Sequence, residues 1–300
     1  MRGAIILCPR YRKLKQIMSK RIPALTRKQV IAPFPQRPRN SHKNMFGTVA
    51  VIGGASGMVG AALLAGRAAL KLGAGCVHVG LLADNAPSVD LLQPELMLHS
   101  AASALDLQDI NVIVVGCGLG RDMAAHKLLH DALKHDTALL LDADALNLLA
   151  LRPDLRNLLL ARTAATLLTP HPGEAARLLG CKTEEIQAGR NTAVQQLARK
   201  FSSTVVLKGA DSLCATRDGK VFVNPTGNPG MSSAGMGDVL SGIIAALIAQ
   251  GMTADDALLL GVYLHGAAGD ELAKQQATLG MSASEVTEWA RWLLNQWRSH

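Results

Sequence analysis

The chain has 300 residues, 49% of them apolar, with 28 glycines but only three Trp, two Tyr and four Phe. That length can bury one large core or two modest ones, and a core of Ala, Leu, Val, Ile and Gly suits packed layers of strands and helices rather than an aromatic RNA-binding sheet. The formal charge of +8 misleads if taken whole: residues 1–46 carry twelve Lys or Arg and no acid, so from Gly47 onward nineteen basic residues face 23 acidic ones, a net of −4. A nucleic-acid-binding fold carries its positive charge on the folded surface, and this one does not.

Five cysteines, at 8, 76, 117, 181 and 214, are scattered singly, which indicates neither a zinc site nor a disulfide framework and fits a reducing cytoplasm. The apolar run Ala4–Cys8 is too short for a secretory signal, and glycines and length keep Val239–Ile248 below a membrane span. The acid-free N-terminus is open to reading as a mitochondrial presequence, or as sequence upstream of a true start at Met18. The expectation adopted is a basic, poorly ordered leader over residues 1–40 and a single cytoplasmic domain over 41–300.

In chain order, Pro33, Pro35 and Pro38 end the leader. Gly47–Ile52 reads as a buried strand, followed by the glycine turn Gly53–Gly57, a helix from about Val59 to Leu72 stopped by Gly73 and Gly75, and a strand at Cys76–Leu81. This is the parallel strand–helix–strand building block. It recurs as strands at Val112–Val115, Ala138–Leu141, Ala165–Leu168 and Thr204–Leu207, each running into a polar or glycine-rich loop. Leu213–Thr216 and Val221–Val223 flank Asp218-Gly219 as a hairpin, and the chain is helical from Gly237, to about Gln250 and again over Ala254–Lys274. The loops therefore gather at the C-terminal edge of a parallel sheet, where open α/β sheets bind ligands.

The loop with the clearest chemistry is Gly235-Met236-Gly237-Asp238. Glycines before a helix let the backbone approach an anion with its amides and dipole aimed at it, and an Asp in the first turn can accept a proton from a hydroxyl attacking a phosphoryl group. An ordinary N-cap Asp is the plain alternative. Lys208-Gly209-Ala210-Asp211-Ser212 brings a cation, a glycine and a hydroxyl to the same edge, where they can line a nucleotide or simply turn into the hairpin. No Walker loop occurs. His171 stands between Pro170 and Pro172, which pre-set its backbone, with Glu174 placed to cap the next helix. Gly53–Gly57 and Gly116–Gly120 suit backbone-only contacts, but neither completes a dinucleotide fingerprint. Asp142 and Asp144 are candidates for Mg2+ chemistry, Asp144 alternatively for a helix cap, while His265 and Asp270 suit support of helix packing near the site.

Taken together, His42-Lys43…Phe46-Gly47, Gly53-Gly54…Gly57…Gly60-Ala61-Ala62, Gly116…Gly118-Leu119-Gly120, Asp142–Asn147, Thr169–Glu174, Lys208-Gly209 and Asn228-Pro229-Gly230…Gly235–Asp238 resemble the ADP-dependent NAD(P)H-hydrate dehydratases over about residues 35–290. The resemblance implies a ribokinase-like three-layer α/β/α sandwich with a mostly parallel central sheet. It implies repair of the S epimer of hydrated NADH or NADPH, with ADP converted to AMP and phosphate, and the alternative of a ribokinase-like kinase using ATP on a small vitamin-precursor alcohol. By position, Asp238 is the catalytic base. Ala61, Gly120, His171 and Asp238 contact the hydrated dinucleotide, Lys208, Gly209, Ala210, Asp211, Ser212 and Gly237 the adenine nucleotide, and Gly235, Met236 and Gly237 form an anion hole. Mg2+ would bridge the phosphates, an NAD(P)H-hydrate epimerase is the implied functional partner, and a homotetramer the implied assembly. Met236, Cys117 and Asn44 stand where the family commonly has Thr or Ala, Pro and Gly, and Ser212 where it has Thr; activity is expected to survive all four.

Overall fold

In the computed structural model, residues 22–276 and 278–298 are described. Their strands are β1 (Thr48–Gly53), β2 (Cys76–Leu81), β3 (Met97–Ser100), β4 (Val112–Val115), β5 (Ala138–Leu141), β6 (Thr166–Leu168), β7 (Thr204–Leu207), β8 (Leu213–Ala215) and β9 (Val221–Val223). The helices are α1 (Arg27–Ile31), α2 (Val59–Lys71), α3 (Ala101–Leu105), α4 (Met123–Ala132), α5 (Ala143–Leu151), α6 (Pro153–Ala161), α7 (Pro172–Leu179), α8 (Thr183–Ala188), α9 (Arg190–Phe201), α10 (Met236–Ala249), α11 (Ala254–Gln275) and α12 (Ala283–Arg298). One sheet takes the strands in the order β3-β2-β1-β4-β5-β6-β7-β8-β9. All pairings from β3 to β7 are parallel, and the β7–β8–β9 end is antiparallel. The hairpin at Asp218-Gly219 and the parallel strands lie where the apolar runs and turn residues put them.

Because strand side chains alternate between faces, each β-branched run feeds two cores. Val49, Val51, Val77, Val79, Val112 and Val114 pack with α2, α10, α11 and α12. Ala50, Ile52, Ile113, Val115, Leu139 and Leu141 pack with α3, α4, α5, α7 and α9 on the other face. This is the three-layer α/β/α sandwich with a mostly parallel sheet. The chain leaves β1 in one direction for β2 and returns to its other side for β4, so a switch point opens between the Gly53–Gly57 and Gly116–Gly120 loops. The two loops touch there: Gly54 and Ala55 amides donate to the Cys117 and Gly118 carbonyls at 3.0 and 2.7 Å, and a Cβ on Gly53 would lie 2.1 Å from the Cys117 carbonyl oxygen.

Residues 22–31 differ from the expected leader. Leu25 and Val30 are buried, Leu25 donates to the Val223 carbonyl, and Pro23 accepts from the Val223 amide, so this segment covers the outer edge of β9. The apolar side chains among the basic ones account for the docking, because an open strand edge leaves backbone groups to be satisfied. Residues 1–21, the first part of the expected leader, lie outside the described residues. Strand β3 and helices α3, α6, α8, α9 and α12 went unread in the sequence. Among the described residues no helix is long and apolar enough to cross a membrane.

The tightest helix contact is between α2 and α10, where a Cβ on Gly242 would sit 2.1 Å from the Ala65 carbonyl oxygen. Alanine at 242 would gain about 1 kcal/mol in helix propensity but force the two helices apart, at a cost of roughly 1–3 kcal/mol. The backbone contact cannot relax by a rotamer change, so the cost wins. Gly242→Ala is expected to lower the free energy of unfolding by about 1–2 kcal/mol in urea titration.

Candidate active site

The polar loops after β1, β4, β5, β6 and β7 stand side by side along one edge of the sheet, and the N-terminus of α10 meets them there. Gly235, at φ +84°, is the N-cap, so Met236, Gly237 and Asp238 are the first three helical residues and no side chain caps their amides. Asp238 is therefore not the N-cap residue. The left-handed backbone at 235, where a side chain would also press on Leu64 Cδ1, explains the glycine. Unpaired amides at a helix start make an anion site by both hydrogen bonding and dipole. The Met236 side chain is buried among the α10 and α11 residues, consistent with that position tolerating a long side chain.

Beneath this helix start lies a buried ion pair. Lys208, at the end of β7, donates from Nζ to Asp142 Oδ1 at 2.8 Å, and Ser241 of α10 donates to Asp142 Oδ2 at 3.0 Å. Burial works to raise the Asp142 pKa, but Lys208, Thr169 and Ser241 outweigh it and hold the carboxyl below its ordinary value. Burial works to lower Lys208, but Asp142 and Glu174 hold it above its ordinary value. Both partners stay charged. A Cβ on Gly237 would lie 3.2 Å from Lys208 Nζ and 3.5 Å from Asp142 Oδ2, so the glycine keeps a space open directly over the pair.

Asp238 is shaped by the same surroundings. Burial and the nearby Asp142 push its carboxyl up to about 6, against the pull of the Cys117 thiol and Lys208. Cys117 is fully buried, and burial followed by Asp238 and Asp142 drives its thiol well above the ordinary value. Cys117 Sγ and carboxylate oxygens of Asp142 and Asp238 lie within 4.8 Å of one another. As a metal cage the trio is poor. The sulfur is a neutral thiol, both Asp142 oxygens are already bonded, and Mg2+ demands hard oxygen donors in near-octahedral array. The donor set fits an ion carried on nucleotide phosphates and water better than one resident in the protein.

A cavity of about 470 Å³ runs from Met236 and Gly237 along Lys208–Ser212 to Asn224–Pro229, with His265 and Gly266 of α11 in its wall. All six residues assigned from sequence to the adenine nucleotide line it, and of the anion-hole trio Met236 and Gly237 do, with Gly235 one residue away. Asp270 holds the far rim by accepting from the Gly227 amide at 2.9 Å and from Asn228 Nδ2 at 3.1 Å. Burial and Lys208 lower the His265 pKa to about 4, so its imidazole is neutral.

Ala61, Gly120 and His171 come from separate loops. Ala61, in the first turn of α2, abuts the Gly116–Gly120 loop: a Cβ on Gly118 would lie 3.1 Å from that of Ala61. Gly120, at φ +78°, donates to Asp144 Oδ2 at 2.9 Å. Asp144 thus braces that loop instead of capping α5. His171 is the N-cap of α7: its Nδ1 accepts from the Gly173 amide at 3.0 Å, its own amide donates to Glu174 Oε2 at 2.8 Å, and its Nε2 lies 3.1 Å from Glu174 Oε1. Nδ1 is engaged by the helix amides, which orients the half-exposed ring. The sequence reading missed the Asp142–Lys208–Ser241 connection and the nearness of Cys117 to Asp238. Their one signal was shared position at strand ends or helix start on the same edge.

The three-layer sandwich is the fold of ribokinase-like proteins. The sequence matches the NAD(P)H-hydrate dehydratase family over residues 49–291, and the chain belongs to that family. It is 47% identical over 269 residues to the ADP-dependent (S)-NAD(P)H-hydrate dehydratase of Neisseria meningitidis, covering 88% of this chain and 90% of that protein. It is 42% identical to a bifunctional NAD(P)H-hydrate repair enzyme of Escherichia coli, of which it spans 48%. Among solved structures it is similar to the ADP/ATP-dependent NAD(P)H-hydrate dehydratase of Bacillus subtilis co-crystallized with ATP and Mg2+, at TM-score 0.81 and 29% identity, covering 92% of this chain and 99% of that one.

The buried pair generates a stability test. Removing one partner of such a pair leaves an uncompensated charge, a loss of about 3–5 kcal/mol, whereas replacing both with apolar residues is often close to neutral. Lys208→Met is expected to destabilise the protein by about 3 kcal/mol in urea titration, and the double variant Asp142→Leu/Lys208→Met to recover most of that loss.

Proposed function

We propose that this chain converts the S epimer of hydrated NADH or NADPH back to NAD(P)H while ADP is converted to AMP and phosphate. The observation that carries the reading is Asp238, a carboxylate raised to about 6 and set beside the open amides of α10, in a chain 47% identical to an enzyme of that name. ADP occupies the cavity lined by Lys208–Ser212, with its distal phosphate over Gly237. The hydrated nicotinamide dinucleotide lies against Ala61, Gly120 and His171.

Asp238 accepts the proton of the ring hydroxyl as that oxygen attacks the β-phosphorus of ADP. The bond from phosphorus to the bridging oxygen breaks and AMP leaves. The carbon–oxygen bond to the new phosphate then breaks while the neighbouring ring carbon gives its proton to the departing phosphate, so the double bond reforms and inorganic phosphate leaves. The α10 amides stabilise charge that grows on the transferring group, and Lys208 adds a fixed cation beneath it. Mg2+ arriving with the nucleotide offsets the phosphate charge. A cytoplasmic homotetramer working with an NAD(P)H-hydrate epimerase completes the proposal. The epimerase pairing is supported by the bifunctional repair relatives, of which this chain spans about half.

The test is recovery of reduced-nicotinamide absorbance from each hydrate epimer with ADP and Mg2+. Recovery from the S epimer with ADP supports the reading, whereas inactivity there combined with ATP-dependent phosphorylation of a thiazole or pyrimidine alcohol would replace it with a kinase. Asp238→Asn is expected to lower kcat by roughly a hundredfold or more while AMP binding persists, since a positioned base contributes about 10²–10⁴. The base works only when ionised, so kcat/KM should rise with pH through about 6 and level off above it. A profile flat down to about pH 4.5 would remove Asp238 from this role.

A further inference from the structure

We infer that Arg190 is a positioning residue for the adenine nucleotide: its guanidinium holds the exit of β7, so that Lys208–Ser212 line the cavity in one shape before the ligand arrives. The inference rests on the nucleotide occupying that cavity. Arg190 is the first residue of α9, whose N-cap is Gly189 and whose first turn carries no acid. A cation at a helix N-terminus opposes the dipole, and here neither a capping side chain nor an acid offsets it. A residue that breaks a local rule in this way is expected to serve a contact elsewhere.

That contact is with the end of β7. Arg190 Nη2 donates to the Leu207 carbonyl at 3.1 Å, and Nη1 and Nη2 both donate to the Lys208 carbonyl at 3.4 Å. Gln187 Oε1 accepts from Nη1 at 3.3 Å on the α8 side. Carbonyls that leave the sheet need donors, and a guanidinium supplies several in one rigid plane. It also lies against Gly209: a Cβ there would stand 3.1 Å from Nη1 and 3.6 Å from Cζ, and Gly209 has φ +133°. The glycine therefore lets the cation and the loop backbone meet. Burial lowers the Arg190 pKa and the facing Asp211 opposes it, and the guanidinium keeps its proton.

Lys208 is thereby fixed at three points. Its amide donates to the Pro170 carbonyl at 2.9 Å, its carbonyl accepts from Arg190, and its ammonium is held by Asp142. Further along, Ser212 Oγ donates to the Gly209 carbonyl at 2.8 Å, and the Asn224 amide donates to the Ser212 carbonyl at 2.8 Å. Lys208–Ser212 line the cavity and Arg190 does not, so Arg190 acts through the loop. A loop already in its bound shape loses less freedom when the ligand arrives, which is affinity gained without a contact. Asp142 and Ser241 hold the start of α10 independently of Arg190. Loss of the guanidinium is therefore felt in nucleotide binding and not in the chemistry or the hydrate site.

The experiment compares the wild-type chain with Arg190→Met, which keeps a long side chain without donors, and Arg190→Lys, which keeps the charge and can reach one carbonyl. AMP affinity is read by calorimetry, and KM for ADP and for the S-epimer hydrate by recovery of reduced-nicotinamide absorbance. Methionine is expected to raise the AMP Kd and the KM for ADP roughly tenfold, the worth of one hydrogen bond to a charged group, with kcat and the hydrate KM within about twofold of wild type. Lysine is expected to bring the nucleotide loss back to about threefold. Equal rises in both KM values, the mark of a general structural loss, overturn the assignment. So does a methionine variant that binds AMP like the wild type, or a lysine variant no better than methionine. Where methionine fails to fold, lysine decides alone: a loss confined to the nucleotide supports the role, and unchanged AMP binding overturns it. Calorimetry also separates this inference from the proposed activity. If the wild type binds AMP yet recovers no NAD(P)H from either epimer, the activity fails and the AMP comparison still decides Arg190. If it binds no AMP, the nucleotide site and the role of Arg190 fail together.

Discussion

The Lys208–Asp142 pair is the constraint on which the rest of the site depends. It joins the ends of β5 and β7 across β6, under the start of α10, and Ser241 ties the helix itself to the same carboxylate. Two charges taken out of water repay their desolvation only when geometry and extra hydrogen bonds are good. Here Ser241 and the Lys208 ammonium supply those partners to Asp142. Once the pair is fixed, much follows from it. A side chain at residue 237 would stand directly over the pair, Asp238 feels a fixed negative neighbour, and the cavity wall carries a cation held in place.

Much of the fold was legible because parallel strands buried on both faces read as unbroken Val/Ile/Leu runs ending in glycine or polar residues. Cys76–Leu81, Val112–Val115, Ala138–Leu141 and Thr204–Leu207 fall at the positions their apolar runs mark. Strand β3 was illegible for a physical reason. Met97–Ser100 lies at the sheet edge with only β2 beside it, is half exposed, and its pattern Met-Leu-His-Ser carries no β-branched residue. Segment 22–31 was obscured by charge: its Arg and Lys residues suggested a leader, while Leu25 and Val30 decide where it docks. Glycine spacing and turn residues placed the α10 loop and the Lys208–Ser212 loop, both local signals. The contacts among Cys117, Asp142, Ser241 and Asp238 are long-range, and no local pattern encodes which strand end faces which.

The same separation explains why the sequence pointed two ways. An anion-binding helix start with an adjacent Asp is what a small-molecule kinase requires, and hydroxyethylthiazole kinase of Pyrococcus horikoshii has a similar fold at TM-score 0.60 with 16% identity. Fold alone therefore leaves the acceptor open. Ala61 and Gly120 flank the switch point, whereas His171 begins α7 after β6, two strands away from β4.

Asp238 lies under two opposed influences. The helix start favours its ionised form, while burial and Asp142 favour the neutral one. A value near 6 is the balance of the two, and it has a chemical meaning. A carboxylate with an ordinary value would be ionised at neutral pH but a weaker base, and one raised well above 7 would already hold a proton. A group poised slightly below neutrality is mostly ionised and still has the driving force to take the proton. Every group that sets this balance is itself fixed: Asp142 by Lys208 and Ser241, Asp144 by the Gly120 amide, and Cys117 by the loop that Gly54 holds. The basicity of Asp238 is thus a property of the sheet edge as a whole.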